Sequence, residues 1–139
     1  MLKRTIARAQ ADVMRRVRTR HQQIKPLPLQ GLFNFRCHEN CVQYVKAHPE
    51  RPLDIVEVIT VEEGGGPALH YLLFDRGTSD YLEVTLGWRI DQHEVYLVRT
   101  LLEADHPYIH REFLRSREDW AHQFLSRFWR RFIAPADIL

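Results

Sequence analysis

The run Cys37-His38-Glu39-Asn40-Cys41 is followed further along the chain by His70 and then by Glu83 in Tyr81-Leu82-Glu83-Val84-Thr85. A thiol becomes a good nucleophile when an imidazole accepts its proton, and a carboxylate on the same imidazole fixes its tautomer. Cys37, His70 and Glu83 are therefore the candidate nucleophile, general base and orienting acid of cysteine chemistry. The fold must bring them together for that chemistry to follow.

A helix is predicted over 37–48, with Val42 and Val45 facing inward and Pro49 and Pro52 ending it. If it opens at Cys37, the unpaired amides of its first turn surround the sulfur, and the positive end of its dipole favours thiolate. The same amides could hold an oxyanion, with His38 and Asn40 as supporting side-chain donors one turn away.

Strands are predicted over 55–62, 68–75, 81–87 and 95–101, where β-branched and aromatic residues alternate with polar ones. Gly64-Gly65-Gly66-Pro67 is read as a flexible hairpin tip, not a phosphate loop, since no Gly-Lys-Ser/Thr follows. If Arg76-Gly77-Thr78-Ser79 is a four-residue hairpin loop, Asp75 pairs with Asp80 and paired residue numbers sum to 155. His70 then lies opposite Thr85 with Glu83 as its diagonal neighbour on the same face, within side-chain reach. A slip of one residue would put the two on opposite faces.

The flanking segments are helical. A basic amphipathic helix is predicted over 2–23, with Leu2, Ile6, Ala9, Val13 and Val17 on one stripe, until Pro26 and Pro28 start an extended linker that is the best candidate boundary. Residues 1–26 hold eight Lys or Arg and one acid, so a net charge of +2 conceals a basic arm on an acidic body. Arg8, Arg15, Arg16, Arg18 and Arg20 are its candidate partner-binding residues, for a protein, a polyanion or a second copy of the chain. The arm lacks the aromatics that stack on bases. C-terminal helices are predicted over 105–134, a short one carrying Ile109, Phe113 and Leu114, and a last one whose stripe of Trp120, Phe124, Phe128 and Phe132 reads as core. His106 and His110 read as a surface pair. The whole is a single domain of α+β class, with 1–25 as the basic helix, 33–101 as the helix-plus-sheet core and about four antiparallel strands.

Over residues 33–101 the chain resembles the papain-like cysteine hydrolases, in particular their NlpC-type and transglutaminase-like members, as a small standalone form. The matching blocks are Phe33-Asn34-Phe35-Arg36 before the thiol, Ala68-Leu69-His70-Tyr71, and Leu82-Glu83-Val84-Thr85. In those families the third residue is more usually Asp or Asn. The resemblance implies a Cys37-His70-Glu83 triad acting on an amide, peptide or isopeptide bond through a thioester, with a peptide or protein substrate and no cofactor. The alternative is a non-catalytic interaction protein, of the type found in phages and mobile elements, that binds a host protein or polyanion through the Arg-rich helix.

Cys37, His38 and Cys41 could instead ligate zinc, but no second Cys pair supplies the usual spacing. Two cysteines four apart on a helix are expected to be free thiols, and with no membrane span and no signal peptide the reading is cytoplasmic.

Overall fold

Ala9, Val13 and Val17 are buried along one side of α1 (Leu2–Arg20), the first element of the computed structural model, which describes residues 1–29, 32, 34 and 36–139. Phe33 and Phe35, in the first block of the family resemblance, lie outside the described residues. The chain continues through β1 (Gln23–Ile24), β2 (Leu27–Pro28), α2 (Cys37–Ala47), β3 (Leu53–Glu62), β4 (Pro67–Asp75), β5 (Asp80–Glu83), β6 (His93–Thr100) and α3 (Ile109–Gln123). Short 3-10 turns occupy 87–92, 103–108, 129–131 and 135–137. The class is α+β, and no helix among the described residues is long and apolar enough to cross a membrane.

Among the described residues six strands form one sheet in the order β1-β6-β3-β4-β5-β2. This exceeds the four antiparallel strands expected, and the added pair of β2 on β5 is parallel. The supposed linker is the reason. Residues 23–24 pair with β6 at one edge of the sheet, while 27–28 pair with β5 at the other. Only Lys25 and Pro26 separate the two pairings, so the sheet must curl until its edges nearly meet. The segment is thus part of the sheet and marks no boundary. Ile24, Val56, Val58, Leu72, Ile90 and Val95 fill the inside of the curl. On the outside, α2 packs against Ile55, Tyr71 and Leu73, and α1 packs with Trp120 and Leu125 against Ile59 and Leu69.

The hairpin of β4 and β5 pairs Leu73 with Leu82, Phe74 with Tyr81 and Asp75 with Asp80. That is the register a four-residue loop requires. The loop is pinned by Ser79 N donating to Asp75 O at 2.7 Å, by Gly77 N donating to Asp75 Oδ1 at 2.8 Å, and by the Arg51–Asp75 ion pair at 2.7 Å. The strand expected over 81–87 stops at Glu83, because the amides of Thr85 and Leu86 turn back to Glu83's own carboxylate instead of continuing the ladder. Gly87 then takes φ of +53°, a conformation a side chain resists, and opens the next turn.

The C-terminal region also departs from expectation. The two helices predicted there are one, α3, and it ends at Gln123, so the aromatic stripe does not continue into the core. Trp120 is buried, whereas Phe128 and Phe132 are each 59% exposed. Arg130 reaches back to donate to the carbonyls of His122 at 2.6 Å and Leu125 at 3.0 Å. The first caps a carbonyl in the last turn of the helix, and the second holds the turn that follows it.

Candidate active site

Cys37 is the first residue of α2, with Arg36 as its N-cap, and the first helical bond runs from Asn40 N to Arg36 O at 2.8 Å. The amides of Cys37, His38 and Glu39 are thus in the first turn, where an α-helix supplies no internal acceptor. The Cys37 side chain belongs to the apolar cluster on the outside of the sheet, and 8% of the residue is exposed. Both cysteines are free.

His70 sits between Leu69 and Tyr71, which face outward into the helical layers, so the strand's alternation places it on the inner face with Leu72. Glu83 follows the outward-facing Leu82 and shares the inner face as well. Cys37 from the outer layer can still meet His70, because β5 pairs with β4 only over Leu73–Asp75 and leaves the β5 side of β4 open at Tyr71. The bond from Arg76 N to Pro52 O fixes which amides of β4 point toward β3. By alternation the amide of Tyr71 points the other way, into this gap. There it favours the Cys37 thiolate.

The carboxylate of Glu83 is fully engaged. Its Oε2 lies 2.6 Å from Nε2 of His70, and its Oε1 accepts the amides of Thr85 at 2.8 Å and Leu86 at 2.9 Å. With Nε2 committed to Glu83, Nδ1 is the ring nitrogen left for the sulfur. His70 is buried and Glu83 wholly so.

The electrostatics follow from this arrangement. Burial works to raise the Cys37 thiol, but the charge of His70, with the nearby His38 and His70 side chains and the Tyr71 amide, brings it down to about 6. Burial likewise works to lower His70, and the Cys37 and Glu83 charges overcome it, raising the imidazole to about 10. For Glu83, burial is outweighed by the charge and hydrogen bond of His70 and by the two backbone amides, which hold the carboxyl below its ordinary value. Cys41, one turn along, has no such partners. Burial, then the Cys37 and Glu83 charges, push its thiol well above the usual range. The two thiols are thus pushed in opposite directions, Cys37 down beside His70 and Cys41 up.

The structure brings Cys37, His38, His70 and Glu83 together. Asn40 is one turn away, and its amide donates to Asn34 Oδ1 at 2.8 Å and Thr85 Oγ1 at 2.9 Å. One hydrogen ties α2 to Thr85 at the exit of β5 and the other to Asn34 just ahead of the helix, so both are already engaged. His38 stacks on Phe113 with centroids 5.1 Å apart and an interplanar angle of 7°, its Nε2 lies 3.2 Å from His110 Nδ1, and its Nδ1 has no partner among the described residues. His110 is exposed, as expected of a surface residue, and its ring also meets His38. The Arg-rich helix packs in a different core cluster from Cys37, against Leu69 and Ile59. Arg15 pairs with Asp12, Arg18 pairs with Glu94 at 2.6 Å and Arg16 lies over the Phe124 ring, while Arg8 and Arg20 are exposed.

Sequence reasoning missed the Tyr71 amide, the Thr85 and Leu86 amides and His110. The amides carry no side-chain signal, and His110 reaches His38 only through the docking of α3 on α2. Among the described residues no three His, Cys, Asp or Glu side chains are arranged to hold a metal ion, so Cys37, His38 and Cys41 do not form a zinc set. A groove of about 700 Å³ lined by His48, Arg51, Asp54, Arg76 and His106 does not include the thiol. Comparison of the chain with protein-family models, curated proteins and solved structures gives no significant match.

Proposed function

We propose that the protein is a cysteine-dependent hydrolase or acyl transferase acting on an amide, peptide or isopeptide bond. The Cys37 thiolate attacks the carbonyl carbon, forming a C–S bond and a tetrahedral oxyanion held by first-turn amides of α2. The His70 imidazolium gives its proton to the leaving nitrogen as the C–N bond breaks, which leaves a thioester. His70 then takes a proton from water, or from an acceptor amine, as that nucleophile attacks; the C–S bond breaks and the thiolate returns. Glu83 holds the ring in place and stabilises its charge throughout.

The observation that carries this reading is the 2.6 Å contact between His70 Nε2 and Glu83 Oε2, beside a Cys37 thiol that the charge of His70 lowers. The order of helix thiol, strand histidine and next-strand acid also supports a papain-like plan, NlpC-type or transglutaminase-like. The test is the rate of iodoacetamide alkylation at Cys37 against pH, read by mass spectrometry with Cys41 as the internal control. An inflection well below the ordinary thiol value of about 8.5, lost in His70→Ala, is expected and would justify a screen of acyl donors for a Cys37 thioester. A Cys37 that reacts no faster than Cys41, or that ignores His70→Ala, ends the enzyme reading.

A further inference from the structure

The basic helix has no Phe, Tyr or Trp of its own, and the fold brings such rings to it. Segment 124–134, distant in sequence, lies against α1: Ala9 and Val13 share a core cluster with Leu125 and Ile133, and the Arg16 guanidinium lies over the Phe124 ring at 5.5 Å. A groove of about 470 Å³ runs between them, with Arg4, Arg8 and Asp12 on one wall and Phe124, Ser126 and Trp129 on the other. Trp129 leads on to two exposed rings. Its centroid is 5.2 Å from that of Phe128 and 6.4 Å from that of Phe132, and both of these are 59% exposed.

Folding also concentrates the charge. Residues 1–26 and 124–134 together hold eleven of the twenty Lys and Arg but only one of the eighteen acids, so although Arg18 is paired with Glu94 of β6, these segments carry a strong positive excess on a chain whose remainder is acidic. The one acid, Asp12, is already paired with Arg15. Arg4 and Arg8 are exposed at the groove and have no ion-pair partner among the described residues.

We propose that this face binds single-stranded nucleic acid, with phosphates on Arg4 and Arg8 and unstacked bases on Phe128 and Phe132. Nine of the eleven basic residues are Arg, whose planar fork suits phosphate and also stacks on rings. Exposed aromatic faces beside a positive groove are the elements with which proteins hold a single strand. A lipid surface fits less well, since Ala9, Val13 and Val17, the apolar stripe that α1 would have to insert, are buried in the protein's own core. A duplex would leave the rings idle.

The test uses the full chain and fluorescence anisotropy of a labelled oligo-dT of about 20 nucleotides, titrated between about 50 and 200 mM salt, with duplex DNA, heparin and phosphatidylserine vesicles as competitors. Binding should weaken with salt, and Arg4→Glu with Arg8→Glu should reduce the logarithmic slope by about 0.7 for each phosphate no longer neutralised. Phe128→Ala and Phe132→Ala should each weaken binding about fivefold or more at unchanged circular dichroism. Cys37→Ala should bind as the wild type does, which separates this site from the thiol chemistry. Absence of oligo-dT binding at the lowest salt overturns the proposal. So does binding that is indifferent to both rings, or that vesicles or heparin displace while the ring variants compete equally well.

Discussion

Nε2 of His70 stands 2.6 Å from Oε2 of Glu83, while Oε1 of the same carboxylate accepts the amides of Thr85 and Leu86. The backbone turn that ends β5 therefore also aims the acid at the histidine. Glu83→Gln keeps an acceptor for the two amides but removes the charge opposite the ring. The His70 value should fall, that of Cys37 should rise, and any turnover should drop by about 10²-fold or more. Nitrogen-15 NMR of the imidazole and the alkylation profile measure the first two. An unmoved Cys37 inflection would show that Glu83 is not coupled to the thiol.

Because Cys37 is lowered to about 6 and His70 raised to about 10, the charged pair should fill the window between them. Alkylation should rise through about 6 and stay high, whereas turnover should also fall near 10 as the proton donor is lost. Stability follows the same window. The depressed Cys37 contributes stability that is present above its unfolded value and lost as pH falls through about 6. The raised His70 contributes stability that is present below its unfolded value and lost as pH rises through about 10. Thermal melts across pH should therefore show a maximum between these limits that flattens in Cys37→Ser with His70→Gln.

Asn40 is a clamp rather than a donor to substrate. Asn40→Ala strands the buried Thr85 hydroxyl and frees the 83–86 turn from α2, and a loss of about 1–3 kcal/mol is expected by urea unfolding. The Cys37 inflection should shift far less than it does in His70→Ala. A variant as stable as the wild type would remove this role.

A second buried carboxylate, Glu57, accepts bonds from the Tyr71 hydroxyl, from Ser116 Oγ at 2.6 Å and from Arg99 Nη2 at 3.3 Å. Burial and then the Glu57 charge push the Tyr71 phenol far above its ordinary value, favouring the neutral hydroxyl that donates to Glu57. Tyr71→Phe should cost about 1–3 kcal/mol in stability, because Glu57 then lacks one donor in a buried place. The Tyr71 backbone amide remains in the variant, so Cys37 should keep its lowered value. A thiol that returns to an ordinary value would tie the Glu57 network to the site.

Much of the site could be read from local spacing. A turn of four residues is enough to put Glu83 diagonal to His70, and proline breaks mark where the Cys37 helix can lie. Pairings of two residues, such as 23–24 and 27–28, are too short to show any alternation, so the curl of the sheet was hidden behind two prolines. The end of α3 was hidden for a different reason. Phe-Leu-Ser-Arg-Phe contains no helix breaker, and the Arg130 bond that caps the His122 carbonyl comes from beyond the helix. His38 and His110 meet only through packing of two helices far apart in sequence, which no periodicity encodes.

The crossing of residues 23–28 from one side of the sheet to the other also governs association between molecules. A long open border of a sheet invites a strand from another chain, and here both borders are closed by two-residue strands, one of them ending in Pro28 and preceded by Pro26. A single nick in that stretch would release both at once, baring β6 and β5 together and turning a self-closed sheet into a template for cross-chain pairing.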